Sequence, residues 1–298
     1  MSHQLSVHFH GVRGSIAAPG ITTARVGGNT SCVEVIAGDT RIVLDAGTGL
    51  RALGDRLITT GPTATTILLS HLHWDHIQGL PFFTPLYIPG NTVRIHGAYD
   101  VVTGEGIDQV MNVQLQYSYF PVREAEMRAA IEYENLTVGQ SVAVGDATVT
   151  PVMLNHPVVD FGYRVDCDGR SVFFTGDHEP WYNIYEPEDE GHAEYERLIA
   201  EKAAQVEAAI RGLDLLIVDT SYTVAEYPSK RGWGHGTYES GIALARRVGA
   251  RRLACTHHEP TRSDAELERV FAEAIERSAP AAGDPQIFLA REGLELRL

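Results

Sequence analysis

Three imidazoles and a carboxylate fall within six consecutive residues in His71-Leu72-His73-Trp74-Asp75-His76, directly after Ser70 and the apolar run Thr66-Ile67-Leu68-Leu69. Neutral imidazole is the commonest metal ligand and carboxylate suits the same ions, so the run reads as part of a metal site. If a strand ends here and gives way to a loop and then a helix, all four side chains stand at the carboxyl edge of a sheet. His71 and His73, two apart in extended backbone, then point the same way, while Asp75 and His76 open the next turn and can face a second ion. Six residues cannot close two coordination spheres. Further His and Asp are therefore expected at later strand ends, and the chain supplies His156 after Ala147–Leu154, Asp177 after Ser171–Gly176, and His257 after Arg252–Thr256. Gly176 lets backbone approach an ion closely. His258 adjoins His257, and only one of two such neighbours can face the metals; the residues alone do not choose.

The order His-x-His-x-Asp-His, lone His, Gly-Asp, late His resembles the metallo-β-lactamase superfamily, and the similarity runs through nearly the whole chain. Gly11-Val12-Arg13-Gly14-Ser15 with Pro19-Gly20, Gly27-Gly28-Asn29-Thr30-Ser31-Cys32, Leu44-Asp45-Ala46-Gly47-Thr48-Gly49 and Trp233-Gly234-His235-Gly236-Thr237 resemble, more narrowly, the branch holding ribonuclease Z and the phosphodiesterases of cyclic nucleotides and cyclic ribose phosphates. The resemblance implies that His71, His73 and His156 hold one divalent ion, that Asp75, His76 and His257 hold another, and that Asp177 bridges them. It favours His257 over His258. A water or hydroxide between the ions would be the nucleophile, with Asp75 and His235 counted as catalytic. The ligand set is all nitrogen and oxygen, which suits zinc foremost and also manganese or iron.

Outside the ligands, His235 is flanked by glycines just before a helix. It is either a loop or capping residue or, as the resemblance implies, a group that meets the phosphate or protonates the leaving alkoxide. Asp45, at a strand end, is expected to orient a ligand His. Arg13, Asn29 and Thr30 either touch substrate or fix glycine-rich turns. His178, next to Asp177, is the most promising of the other histidines, and Trp181, Tyr182, Tyr185 and Trp233 either stack on substrate or simply pack.

These residues need a frame. A chain of 298 residues with 44% hydrophobic and 21% charged content fits one soluble core, taken as a single domain over residues 1–298. Apolar, strand-like segments cover residues 4–12, 31–37, 41–45 and 66–70, with Gly38-Asp39 as a hairpin turn. A short helix is expected over 49–58, and a helical turn from Asp75 that Pro81 interrupts. Gly104–Asn135 reads as a partly helical insertion beside the site, with Tyr117, Tyr119 and Phe120 before Pro121. Strands at 142–145, 147–154, 161–166 and 171–175 form a second sheet. An amphipathic helix follows over 192–211, with apolar Leu198, Ile199, Ala203, Val206 and Ile210. Leu213–Asp219 is a buried strand, Thr237–Val248 a helix with Thr237 near its cap and Gly249 as its stop, and Ile287–Leu298 a strand or hairpin. Order and resemblance together predict an α/β (α+β) fold, a four-layer αββα sandwich with a dinuclear metal site at the sheet edge.

The start Met1-Ser2-His3-Gln4-Leu5 lacks the basic and apolar parts of a signal peptide, and no run of about 18 apolar residues exists, so a cytoplasmic protein off the membrane is expected. The odd set Cys32, Cys167 and Cys255 reads as buried reduced thiols. A net charge of −15 with no basic arm argues against long nucleic acid; Arg246-Arg247 and Arg251-Arg252 are short surface pairs. It does not forbid a small phosphate ester, since two bound divalent ions dominate their own surroundings.

The expectation is a metal-dependent hydrolase cleaving a small phosphodiester: a cyclic nucleotide, a dinucleotide or a ribose cyclic phosphate. A lactone or other carboxyl-ester hydrolase is the first alternative, because the same nucleophile attacks carbonyls. A ribonuclease Z-like RNA endonuclease is the second, although no long tRNA-gripping arm is identifiable. A non-catalytic metal-bound sensor domain is the third, and a missing ligand would be its signature. The resemblance also suggests a homodimer.

Overall fold

The computed structural model describes residues 5–298. His3 and the first residue of the strand expected from position 4 lie outside them. The chain runs through β1 (Leu5–Gly11), β2 (Cys32–Ala37), β3 (Thr40–Leu44), β4 (Ala64–Leu68), β5 (Thr92–Gly97) and β6 (Ala130–Asn135). It continues with β7 (Val142–Val144), β8 (Ala147–Met153), β9 (Phe161–Cys167), β10 (Arg170–Phe174), β11 (Leu215–Asp219), β12 (Arg252–Thr256), β13 (Gln286–Leu289) and β14 (Glu295–Arg297). The first seven-stranded sheet has the order β14-β1-β2-β3-β4-β5-β6, and the second β13-β12-β11-β10-β9-β8-β7.

Side-chain alternation explains the stacking. In β1 the odd positions Leu5, Val7 and Phe9 are fully buried while Ser6, His8 and His10 are half-buried. Val7 and Phe9 join Val35 and Leu44 of the first sheet against Val149, Tyr163 and Phe173 of the second. On the outer face of the first sheet, α1 (Gly49–Leu57), the short α2 (Trp74–Ile77) and α3 (Ile107–Gln114) bury Leu50, Leu53, Ile77, Ile107 and Met111 over Val43, Ile67 and Ile95. The second sheet is covered by α4 (His192–Ala209), α5 (Tyr238–Val248) and α6 (Asp264–Arg277). Sandwiched between layers, β11 is buried at all five positions and pairs in parallel with β10 and β12. This is the four-layer αββα sandwich the sequence implied.

Three elements differ from the sequence reading. Gly104–Asn135 is only partly an insertion: it contains α3, but its end is β6, which extends the first sheet parallel to the unanticipated β5. The tail is no hairpin, because β13 pairs with β12 in the second sheet while β14 pairs with β1 in the first. Helix α6, capped by Ser263 accepting from the Glu266 amide, was not anticipated. Helix α5 matches its signals closely: Thr237 and Ser240 cap each other and Gly249 ends it at φ 67°. Cys32, Cys167 and Cys255 are buried free thiols. No helix among the described residues is long and apolar enough to cross a membrane.

Candidate metal centre

In each sheet, strands that run the same way end at one place. Past β3 comes Asp45, past β4 the run Ser70–His76, past β8 His156, past β10 Asp177, and past β12 His257, while Asp219 closes β11. All seven ligands expected from sequence gather there, six of them around Asp177. His71 Nε2 and His156 Nε2 lie 2.9 and 3.2 Å from His73 Nδ1, and 3.7 and 3.9 Å from Asp177 Oδ2. On the other side, Asp177 Oδ1 is 3.2 Å from His76 Nε2 and 3.0 Å from His257 Nε2, and Asp75 Oδ2 is 3.2 Å from each of those nitrogens.

These contacts have the character of converging ligand atoms. His76 Nε2 and Asp177 Oδ1 are buried without a hydrogen-bond partner among the described residues, although close to each other. Leaving such atoms unsatisfied costs about 1–3 kcal/mol each, a penalty a cation between them removes. The far nitrogen of four of the five imidazoles is held from behind. His76 Nδ1 meets Asp45 Oδ2 at 2.6 Å, His71 Nδ1 meets Asp160 Oδ1 at 3.0 Å, His156 Nδ1 meets the Gly234 carbonyl at 3.0 Å, and His257 Nδ1 meets Ser221 Oγ at 2.9 Å. With a proton held on that side, Nε2 is the nitrogen that each of these four turns to the centre, while His73 turns its Nδ1 there. The donor set therefore fits divalent metals.

Local backbone supports the arrangement. Asp45 and His257 occupy the left-handed region at φ 63° and 56°, a conformation unusual for residues other than glycine and concentrated at functional sites. His257 packs its ring over Gly14, where a Cβ would lie 2.2 Å from ring atoms. Gly234, at φ 89°, has no room for a Cβ beside His156 Nδ1.

Electrostatics sort the groups by charge. Burial opposes charge on Asp177, yet the imidazoles of His257 and His76 hold its carboxyl well below the usual range. Burial pushes His156 down to about 4 and, with the neighbouring His76, keeps His71 neutral. His235 goes the other way: burial works against its charge, but Asp219 and Asp177 outweigh it and raise it to about 9. Its ring stacks on His257 with centroids 4.8 Å apart, and its Nδ1 is 3.7 Å from Asp177 Oδ2.

The remaining candidates separate cleanly. His258 turns away, its Nε2 meeting the Ala290 carbonyl at 2.8 Å. The His178 ring packs on Trp181, and only its backbone N–H reaches Asp219. Arg13 is fully buried and binds the Gly27, Glu259 and Arg262 carbonyls and Asp264, so it fixes turns; Asn29 does so through Glu292 and Thr30 through Thr48. Trp233 is exposed beneath Lys230. Sequence reading missed Asp160, Asp219, Ser221 and Glu179. Asp219 carried the same strand-end signal as Asp177; Asp160 precedes its strand and carried none.

The family model of the Beta-lactamase superfamily domain matches residues 40–258, and the chain belongs to that superfamily. Among its relatives is ribonuclease BN of Cronobacter sakazakii, 24% identical over 272 residues that cover 78% of this chain and 83% of the relative. A diphosphatase of the PhnP family superposes with a TM-score of 0.66 at 20% identity, covering 98% of this chain and 97% of that one. Yeast PDE1 gives 0.68 at 16% identity over 99% of this chain and 100% of its own. At such identities the structural likenesses establish the fold alone, and that fold is the metallo-β-lactamase type.

Proposed function

We propose that this protein is a dinuclear metal-dependent hydrolase of small phosphodiesters. The observation that carries the reading is the convergence of six ligand residues on the carboxylate of Asp177, with His235 Nδ1 3.7 Å from one of its oxygens. In this reading His71, His73 and His156 hold one ion, Asp75, His76 and His257 the other, and Asp177 both; zinc suits the set, as do manganese and iron. Two divalent ions, when bound, supply an activated water near neutral pH and screen charge developing on phosphate. The chain's own residues do the rest. Asp45, Asp160, Ser221 and the Gly234 carbonyl hold the imidazoles in orientation. Asp75, beside the reaction centre, positions the attacking water, and His235, charged through Asp219, supplies a proton to the departing alkoxide.

The surroundings support a small substrate. Beside His71, His73 and His156 lies a cleft of about 470 Å³ walled by Leu72, Tyr99, Val101, Met153 and Val158, with no Lys or Arg in its lining. A long RNA would place further phosphates along its path and would call for such cations. The ribonuclease relative favours RNA as a second reading, which the net charge of −15 opposes. One domain over residues 1–298 belongs to the same proposal, supported by β14 closing onto β1.

The test is a substrate panel with purified protein loaded with zinc or manganese. An activated phosphodiester should turn over at least about tenfold faster than a monoester, lactone or β-lactam, a barrier difference of about 1.4 kcal/mol. A lactone ahead by that margin would transfer the assignment to carboxyl esters, and preferential cleavage of precursor tRNA would transfer it to RNA.

A further inference from the structure

Glu179 is buried, two residues beyond Asp177, and its carboxylate faces a single loop. Its Oε1 accepts from Tyr227 Oη at 2.7 Å and from the Gly232 amide at 2.9 Å, and its Oε2 accepts from the Gly234 amide at 2.9 Å. Gly232 and Gly234 both take left-handed φ, 88° and 89°, which aims alternate amides at one carboxylate. The loop so held ends in His235, and the Gly234 carbonyl is the atom that accepts from His156 Nδ1. On its other side the Glu179 backbone is pinned to Asn155: its amide donates to the Asn155 carbonyl at 2.9 Å and its carbonyl accepts from Asn155 Nδ2 at 3.0 Å.

We propose that Glu179 is a positioning residue that clamps the Tyr227–His235 loop, holding His235 and the Gly234 carbonyl in place together. It touches neither the ligand atoms nor, in this reading, the substrate. Charge-assisted bonds from backbone amides are among the stronger hydrogen bonds, and two of them here define the path of the loop. In Glu179→Gln the side chain keeps its size but turns an NH2 toward amides that can only donate, so the clamp loses at least one of its bonds and the loop is released. The proposal builds on the phosphodiesterase reading, and its test separates the two.

Hydrogen exchange of the metal-free protein reads the clamp directly. Amides of the 227–236 segment should exchange at least about tenfold faster in Glu179→Gln, with β1 and β2 unchanged. With the metal-loaded enzyme, kcat on an alkyl diester should fall by up to about 100-fold while KM moves little, because small misplacement of a catalytic group is costly. A nitrophenyl diester, whose leaving group needs no proton, should lose far less, only the part that passes through the Gly234 carbonyl to His156. Added to His235→Ala, Glu179→Gln should cost much less on the alkyl diester than it does alone, because most of its effect passes through His235 and only the remainder through the Gly234 carbonyl. Tyr227→Phe, which removes one donor and leaves the carboxylate, should move every readout the same way by less, and carries the test if Glu179→Gln does not fold. Unchanged exchange would overturn the clamp. Equal losses on both diesters, additive with His235→Ala, would overturn action through His235. If the wild type cleaves no diester, the functional reading fails while the exchange result still decides the clamp.

Discussion

His235 Nδ1 lies 2.8 Å from Asp219 Oδ2, at the end of β11 in the second sheet. The other oxygen of Asp219 accepts from Ser221 Oγ at 2.8 Å, and that hydroxyl contacts His257 Nδ1. One buried carboxylate thus sets both the charge of the proposed acid and the orientation of a proposed ligand.

A general acid typically contributes roughly 100-fold to 10,000-fold, and less when the leaving group is already a weak base. His235→Ala should therefore keep the fold and metal content yet lose far more rate on an alkyl or ribose diester than on a nitrophenyl diester. Equal losses on both would point to phosphate positioning instead, and no loss would return His235 to the role of a loop residue.

Elemental analysis should find close to two ions per chain in the wild type. Asp177→Ala should lower that content and abolish turnover. Asp45→Asn, which removes the carboxylate behind His76, should weaken metal affinity by about 10-fold to 100-fold, as seen when partners behind ligands are lost. A competition titration with a chromophoric chelator reads this; unchanged affinity would remove Asp45 from the site.

Stability should carry a pH signature away from the candidate metal centre. Glu34 is buried beside His10, Arg41 and Arg56, and despite burial these partners pull its carboxyl down to about 2. A depressed folded value stabilises the protein above the ordinary carboxylate range near 4.5, and the contribution is lost as pH falls through about 2. Glu34→Gln should cost about 2 kcal/mol at pH 7, allowing for solvent around the half-exposed Arg56. In urea titrations the gap from wild type should narrow below pH 4.5 and close near pH 2. A gap independent of pH would show that packing, not charge, holds Glu34.

Much of this molecule was legible before folding. The run His71–His76 and the lone His156, Asp177 and His257 each follow an apolar strand, and strands that run the same way in a sheet end at one edge, so their convergence follows from local pattern. The caps of α5 were legible for the same reason: Thr237, Ser240 and Gly249 act within a few residues. Helix α4 shows the boundary of such reading, since of its expected apolar face Ile199 and Val206 are buried while Leu198 remains exposed.

What the linear chain left open are the relations between distant segments. His257 and His258 are equivalent by neighbourhood; only packing against Gly14 and a left-handed backbone turn the first inward and send the second to Ala290. Arg13 stood between two roles until burial against the start of α6 made it structural. Asp160 and Glu179 carry no local pattern at all, because a carboxylate's partner is chosen by what the fold places within about 3 Å of it. β13 and β14 went to different sheets for a related reason: a strand's sequence records which of its faces is buried, whereas its neighbour is decided by the edge still open when the sheets assemble.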